Sequence, residues 1–87
     1  MPEQPKYLER AKDTYRFYRS KRLSDDRWTI AKTAKALRRS IGSISEDLMI
    51  VKWLRTHDGD LEKFDYANEA IKFIREKQKE QDLEELD

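Results

Sequence analysis

The sequence has no cysteine, one histidine, and only two glycines and two prolines among its 87 residues. Without thiols, a disulfide framework, a thiolate metal site and a cysteine nucleophile are all excluded. A sheet protein normally needs more turn-forming residues than these. No glycine-rich phosphate loop and no paired nucleophile and base can be assembled. We therefore expect an all-α protein that is not an enzyme, holds no metal ion and needs no cofactor.

Long apolar runs are also missing. No stretch approaches the roughly 20 apolar residues that cross a bilayer. The N-terminal residues Met1 to Pro5 contain no apolar segment of the kind that a signal peptide carries. We expect a soluble protein that is neither secreted nor bound to a membrane.

Charge, in contrast, is plentiful and unevenly distributed. Charged residues make up 43% of the chain and hydrophobic residues 37%, which is typical of a strongly solvated helical protein. Residues 1–55 carry 14 Lys and Arg against 7 Asp and Glu, whereas residues 56–87 carry 5 against 11. This division suggests a polyanion-binding surface joined to an acidic arm. Two ordinary solvated helix faces would give the same counts.

Apolar residues recur at helical spacing in four segments of the chain. The predicted helices run from Pro5 to about Leu23, from Asp26 or Arg27 to Arg38 or Arg39, from about Ile44 to about Thr56, and from about Leu61 to Lys79 or beyond. The expected fold is a small helical domain of about four helices. Residues 1–60 would form a three-helix unit with a helix-turn-helix over about 26–56, and residues 61–87 a C-terminal helix with an acidic, partly frayed tail.

Capping residues set the predicted boundaries between these helices. The stretch Ser24-Asp25-Asp26 offers N-cap oxygens for the second helix. Gly42 favours a turn before the third helix, because glycine adopts positive φ without steric cost. Ser43 and Glu46 match the spacing of a capping box. Gly59 suits a left-handed position just after the third helix ends.

The residues from Thr33 to Leu48 resemble the helix-turn-helix of phage repressors and of ParB-like partition proteins, and the likeness extends over about residues 29–55. Those families place a small alanine on the first helix, a leucine three residues later, and an isoleucine or valine early in the second. Ala34, Leu37 and Ile44 stand at these positions. A small Ala34 lets the two helix backbones approach closely where they cross.

The sequence departs from these families at the turn, where a glycine is normally followed by an apolar residue. Arg38 and Arg39 occupy those two positions. Either the first helix of the pair runs on and turns at Gly42, or Arg38 adopts a left-handed conformation at a cost of about 1 kcal/mol.

The resemblance implies binding to double-stranded DNA, as a small phage- or plasmid-type transcriptional regulator or accessory factor in the cytoplasm of a bacterial or phage-infected cell. The second helix of the pair would meet base edges in the major groove, while the first crosses the phosphates. The expected base-facing residues are Ser40, Gly42, Ser43, Ser45, Glu46 and Met49. The expected phosphate-binding residues are Lys32, Lys35, Arg38, Arg39 and Lys52.

Two observations leave alternatives open at this surface. Ser43 and Glu46 would be unable to read bases if they only cap their helix. Glu46 and Asp47 would also repel phosphates at the start of a recognition helix, although the helix dipole favours carboxylates there.

Assembly and partners give the remaining expectations. We expect a homodimer, because one small helix-turn-helix contacts only a few base pairs. Its interface would use apolar residues of the fourth helix, namely Phe64, Ile71, Phe73 and Ile74, unless these pack onto their own chain. The acidic C-terminal helix would bind a protein partner or lie over the basic face. The alternative function is a protein-protein interaction adaptor that uses a helix-turn-helix fold without DNA binding.

Overall fold

The computed structural model describes residues 5–57 and 59–85, except for the side chains of residues 81–85. Four α-helices follow one another along the chain: α1 (Lys6–Ser24), α2 (Ile30–Leu37), α3 (Ile41–Thr56) and α4 (Ala67–Glu85). The described ranges contain no strand, which confirms the all-α prediction. None of their helices is long and apolar enough to span a membrane. Helix α3 contacts each of the other three and is therefore the centre of the fold.

The core fills the space between α1, α3 and α4. Leu8, Ile50, Leu61 and Ile74 are each at most 1% exposed. Burying a side chain of this size contributes roughly 1.5–3 kcal/mol relative to leaving it in water. The full buried cluster consists of Tyr7, Leu8, Ala11, Ile50, Val51, Trp53, Leu61, Ala70, Ile71 and Ile74.

Helix α2 begins three or four residues later than the sequence predicted, so the assignment of Ser24-Asp25-Asp26 as its cap was wrong. The N-cap is Thr29, whose Oγ1 accepts the N–H of Lys32 at 3.2 Å. Asp25 instead closes a turn, because its Oδ1 accepts the N–H of Arg27 at 2.9 Å. The Asp25 side chain thus caps a backbone N–H as expected, but in the turn between α1 and α2 and not at the start of α2.

Helix α2 ends at a left-handed residue, and this resolves the two alternatives for the turn. Arg38 has φ 57° and ψ 45°. Its N–H donates to the carbonyl of Lys35 at 3.3 Å, and the N–H of Arg39 donates to the carbonyl of Ala34 at 2.9 Å. These two bonds form the Schellman motif, in which glycine is the usual left-handed residue. Arg38 therefore occupies a glycine-like position.

Helix α3 consequently starts earlier than predicted. Ser40 is its N-cap, and the Ser40 Oγ accepts the N–H of Ser43 at 3.1 Å. Gly42 lies within the first turn of α3 and does not form the turn. The capping box of Ser43 and Glu46 was therefore wrong, because a serine three residues upstream takes the capping role. The predicted end of the helix at Thr56 is confirmed.

Helix α4 begins at Ala67, six residues after the predicted start. Leu61 belongs to a turn in which its carbonyl accepts the N–H of Phe64 at 3.2 Å. Gly59 has a positive φ of 79°, as predicted. The α4 backbone is helical to Glu85, which agrees with a predicted helix that runs to Lys79 or beyond. The last two residues of the predicted tail, like Asp58 beside Gly59, lie outside the described residues.

Tyr7 connects the first helix to the segment between α3 and α4. Its hydroxyl donates to the Leu61 carbonyl at 2.6 Å, and only 6% of the residue is exposed. Burial raises the pKa of Tyr7 to about 12, and the nearby negative charges of Glu69 and Asp65 act in the same direction. The neutral hydroxyl is therefore the form that the folded chain stabilises.

Candidate nucleic-acid interface

A buried ion-pair cluster lies behind the turn between α2 and α3. Asp47 is fully buried, and its carboxylate lies 3.2 Å from Arg10 Nη2 and 2.7 Å from Arg39 Nη1. The Thr14 hydroxyl donates to Asp47 Oδ2 at 2.8 Å. A buried carboxylate requires such pairing, because removing it from water is costly. Asp47 therefore points into the protein and does not repel phosphates at the surface.

Arg39 is also part of the interior. Its Nη1 donates to the Thr14 hydroxyl at 2.9 Å, and its Nη2 donates to the Ser43 hydroxyl. Only 21% of the Arg39 side chain is exposed. The guanidinium and the Ser43 hydroxyl are thus occupied by each other and by Asp47. The sequence predicted that Arg39 binds phosphates and that Ser43 faces bases. In the structure, both side chains are instead engaged in bonds within the chain.

The outward side of α3 carries no carboxylate among its exposed residues, which are Ile41, Gly42, Ser45, Lys52, Arg55 and Thr56. Ile41 is 55% exposed at the first position of the helix. Ile41 was not among the predicted base-facing residues, because the predicted start of the helix lay three residues after the observed one. The signal that could have identified it was the Ser40 hydroxyl as an alternative cap.

The predicted base-facing residues divide between this outward side and other parts of the molecule. Ser40, Gly42 and Ser45 are exposed, as the prediction requires. Met49 is half-buried and packs against the core. Glu46 is half-buried and lines a groove between α3 and α4. The residues that remain available at the first turns of α3 are therefore small or apolar.

Four of the five predicted phosphate-binding residues are exposed. Lys32 and Lys35 lie on α2, Arg38 follows it directly, and Lys52 lies on the outward side of α3. None of the four forms an ion pair with a side chain in the described ranges. These cations are consequently free to bind anions.

The residues predicted for a dimer interface pack within their own chain. Ile71 is 3% exposed and Ile74 is fully buried. Phe73 is half-buried, with its ring centroid 5.9 Å from that of Trp53 and 5.3 Å from that of Phe64. Ile71 and Ile74 therefore pack inside their own chain, whereas Phe64 and Phe73 are only half-buried, and the homodimer stays a prediction.

A groove of about 460 Å³ separates α1 from the C-terminal half of α3. Arg55 Nη1 donates to the Tyr15 hydroxyl across it at 2.7 Å. The groove thus combines apolar walls with cations at one edge of the outward side of α3. Its lining residues are Tyr15, Tyr18, Leu48, Lys52, Arg55 and Thr56.

Comparison with protein-family models, with curated proteins and with solved structures gave no match to this chain. Within the described ranges, no three His, Asp or Glu side chains are grouped closely enough to hold a metal ion. The interpretation of the site therefore depends on its own geometry and charge.

Proposed function

We propose that α2, the turn at Arg38 and α3 form a helix-turn-helix that binds double-stranded DNA. The observation that carries this proposal is the exposed side of α3, which has no carboxylate because Asp47 is buried between two arginines. The sequence indicated that Glu46 and Asp47 would repel phosphates at the start of the recognition helix. With Asp47 buried, only the half-buried Glu46 can contribute to that repulsion. A small regulator or accessory factor of phage or plasmid type, acting in the cytoplasm, is the role that fits such a protein.

The free cations favour the phosphate backbone as the first contact. Lys32, Lys35 and Arg38 are exposed along α2 and at its C-terminal end. Each phosphate that a Lys or Arg neutralises releases counterions from the DNA and steepens the logarithmic salt dependence of binding by about 0.9. Such contacts fix the position of a protein on the duplex without selecting a sequence.

The first turns of α3 supply the groups that would read bases. A Cβ added at Gly42 would meet no atom within 4 Å, so this position leaves room for a base-pair edge. The exposed Ile41 fits the methyl group of thymine, and the Ser45 hydroxyl can donate to or accept from several bases. This set predicts modest sequence selectivity with a preference for a thymine near Ile41.

Fluorescence anisotropy of a labelled random-sequence duplex, measured at several salt concentrations, tests the proposal. The variant Lys32→Ala, Lys35→Ala, Arg38→Ala should bind more weakly and lower the salt slope by about 2 to 3. The control Lys6→Ala, Lys63→Ala, Lys77→Ala removes the same charge from exposed sites away from this turn, and should bind like the unmodified chain. Helicity measured by circular dichroism confirms that both variants fold. No binding by the unmodified chain at low salt would overturn the proposal.

The groove between α1 and α3 favours a second candidate, a protein-interaction adaptor that does not bind DNA. Its apolar walls and the cations Lys52 and Arg55 fit an acidic segment with a large apolar anchor. Phe73, expected from the sequence to lie at a dimer interface, is half-buried and is not part of this groove. The adaptor predicts that Tyr18→Ala abolishes capture of a specific protein partner while the chain shows no DNA affinity at any salt concentration.

A further inference from the structure

The cations of the acidic C-terminal part of the chain are divided between two sides of α4. Lys63 and Lys77 lie over the Phe73 ring, 4.5 and 5.7 Å from its centroid. Three others, Lys72, Arg75 and Lys79, line a groove of about 330 Å³ between α4 and α3. The overall negative count of residues 56–87 therefore conceals a basic stripe that faces the α3 side.

We infer that Lys72, Arg75 and Lys79 form a second phosphate-binding element, which extends the DNA interface from α3 onto α4. This inference rests on the proposed DNA-binding function. From the sequence, the acidic C-terminal helix was expected to bind a protein partner or to lie over the basic face. The structure indicates that one face of this helix has the opposite role.

The three cations are spaced to lie on one face of a helix. Their positions differ by three and then four residues, which places them in a row along α4. At 1.5 Å per residue the row extends about 10 Å. Each strand of a duplex presents one phosphate per about 3.4 Å of the duplex axis, so a row of this length can reach more than one phosphate.

The stripe is exposed and electrostatically unpaired. All three side chains are exposed, and none forms an ion pair with a side chain in the described ranges. Lys77, by comparison, lies 3.5 Å from Glu80 in addition to its contact with Phe73. The cations on the α3 side are thus the ones left to bind an external anion.

The position of the stripe relative to α3 is fixed by the core. Ile71 and Ile74 are buried beneath it, and Glu46 of α3 lines the same groove. Glu46 lies one residue after Ser45, which is on the outward side of α3. Because Glu46 also lines the groove on α4, a duplex that extended from Ser45 across Glu46 would meet the three cations of α4.

Two carboxylates, Glu46 and Glu76, line this groove together with the three cations. These carboxylates oppose phosphate binding. The direction in which DNA affinity changes when one of them is removed therefore tests the inference. If DNA approaches this groove, removing either negative charge must strengthen binding. If DNA does not approach it, the same changes have almost no effect at physiological salt, because exposed charges beyond about 8 Å are screened.

The experiment compares binding of a labelled 30-base-pair duplex by five proteins at several salt concentrations: the unmodified chain, the Lys32, Lys35, Arg38 triple alanine variant and three further variants. The variant Lys72→Ala, Arg75→Ala, Lys79→Ala should lower the logarithmic salt slope by about 2 to 3, and Glu76→Gln should bind several-fold more tightly. The Lys6, Lys63, Lys77 triple alanine variant is the matched control and should bind like the unmodified chain. If the α4 triple variant loses helicity, Lys79→Ala, which lies beyond the last buried residue Ile74, gives the same test with a slope change of about 1.

The outcomes separate this inference from the function on which it rests. If the α4 variant binds like the unmodified chain while the Lys32, Lys35, Arg38 variant is weakened, the inference is overturned and DNA binding by α2 and α3 stands. If the unmodified chain does not bind the duplex, both fail. Weaker binding by the α4 variant together with tighter binding by Glu76→Gln supports the second element.

Discussion

Arg39 of the turn lies 2.7 Å from the fully buried Asp47 of α3. The Ser43 hydroxyl and Thr14 complete the hydrogen bonds of this ion pair. The ion pair connects the turn between α2 and α3 to α3 itself. It also keeps the negative charge of Asp47 off the outward side of α3.

We expect Asp47→Ala to destabilise the protein by about 2 to 4 kcal/mol, because Arg39 and Arg10 would lose their shared partner inside the fold. Urea unfolding followed by circular dichroism measures this change. Asp13→Ala is the matched control, since Asp13 pairs with Arg16 at 3.1 Å on the exposed side of α1. Its cost should stay within about 0.5 kcal/mol. Equal effects of the two substitutions would contradict the structural role of Asp47.

Arg38→Gly should separate stability from DNA binding. Glycine adopts the positive φ of this position without strain, so the free energy of unfolding should rise by about 0.5–1 kcal/mol. Under the proposed DNA binding, the same substitution removes a phosphate-binding cation and should weaken binding. Arg38→Ala removes the same charge but keeps the strain, so it should weaken binding to the same extent without the gain in stability. A less stable Arg38→Gly protein would contradict the left-handed geometry.

The two glycines should respond to alanine with opposite signs. Gly42 lies in the first turn of α3 with open space around it, so Gly42→Ala should stabilise by about 0.5 kcal/mol through helix propensity. Gly59 has φ 79°, so Gly59→Ala should destabilise by about 1 kcal/mol. Thermal unfolding of the two variants measures both changes. Destabilisation by Gly42→Ala would favour the turn that the sequence analysis first considered.

Tyr7 should make the protein sensitive to alkali. The unfolded chain releases the Tyr7 proton near its ordinary pKa of 10, whereas the folded chain holds it until about 12. Between these values the unfolded state binds fewer protons, so stability falls as the pH rises, by roughly 1 kcal/mol per pH unit. Below pH 10 this contribution is fully present.

Comparison with Tyr7→Phe isolates this effect from other groups that titrate at high pH. The variant loses the hydrogen bond to the Leu61 carbonyl and should be less stable at pH 8 by about 1 kcal/mol. The difference in stability between the two proteins should shrink as the pH rises above 10 and change sign before pH 12. A constant difference across this range would show that Tyr7 does not ionise differently in the folded chain.

Periodicity alone predicted the helices well where the apolar spacing was regular. Helix α1 and the end of α3 at Thr56 were placed within about one residue. The boundaries between α2 and α3 were not, because Ser40 and Ser43 both offer capping oxygens and only the tertiary contact of Arg39 with Ser43 decides between them. The start of α4 was misplaced since Leu61 continues the helical spacing although its carbonyl is bound by Tyr7.

The candidate site was predictable only where the regular helical spacing determines which side chains point outward. The free cations of α2 follow from their positions on the outer side of a helix, as does Arg38 from its place in the turn. No local pattern distinguishes Arg38 from Arg39, and yet one is exposed and the other is buried in an ion pair. The basic stripe of α4 was missed because counting charges over residues 56–87 averages over its two faces.

The burial of Leu61, Ile71 and Ile74 in the core determines the shortest fragment of this protein that keeps its core. A fragment ending at residue 60 would contain α2 and α3, but it would leave the apolar sides of α1 and α3 exposed to water. The smallest unit that keeps this cluster extends through Ile74. A chimera that grafts the surface of α2 and α3 onto another protein must therefore carry most of the chain, with α4 included as part of the scaffold.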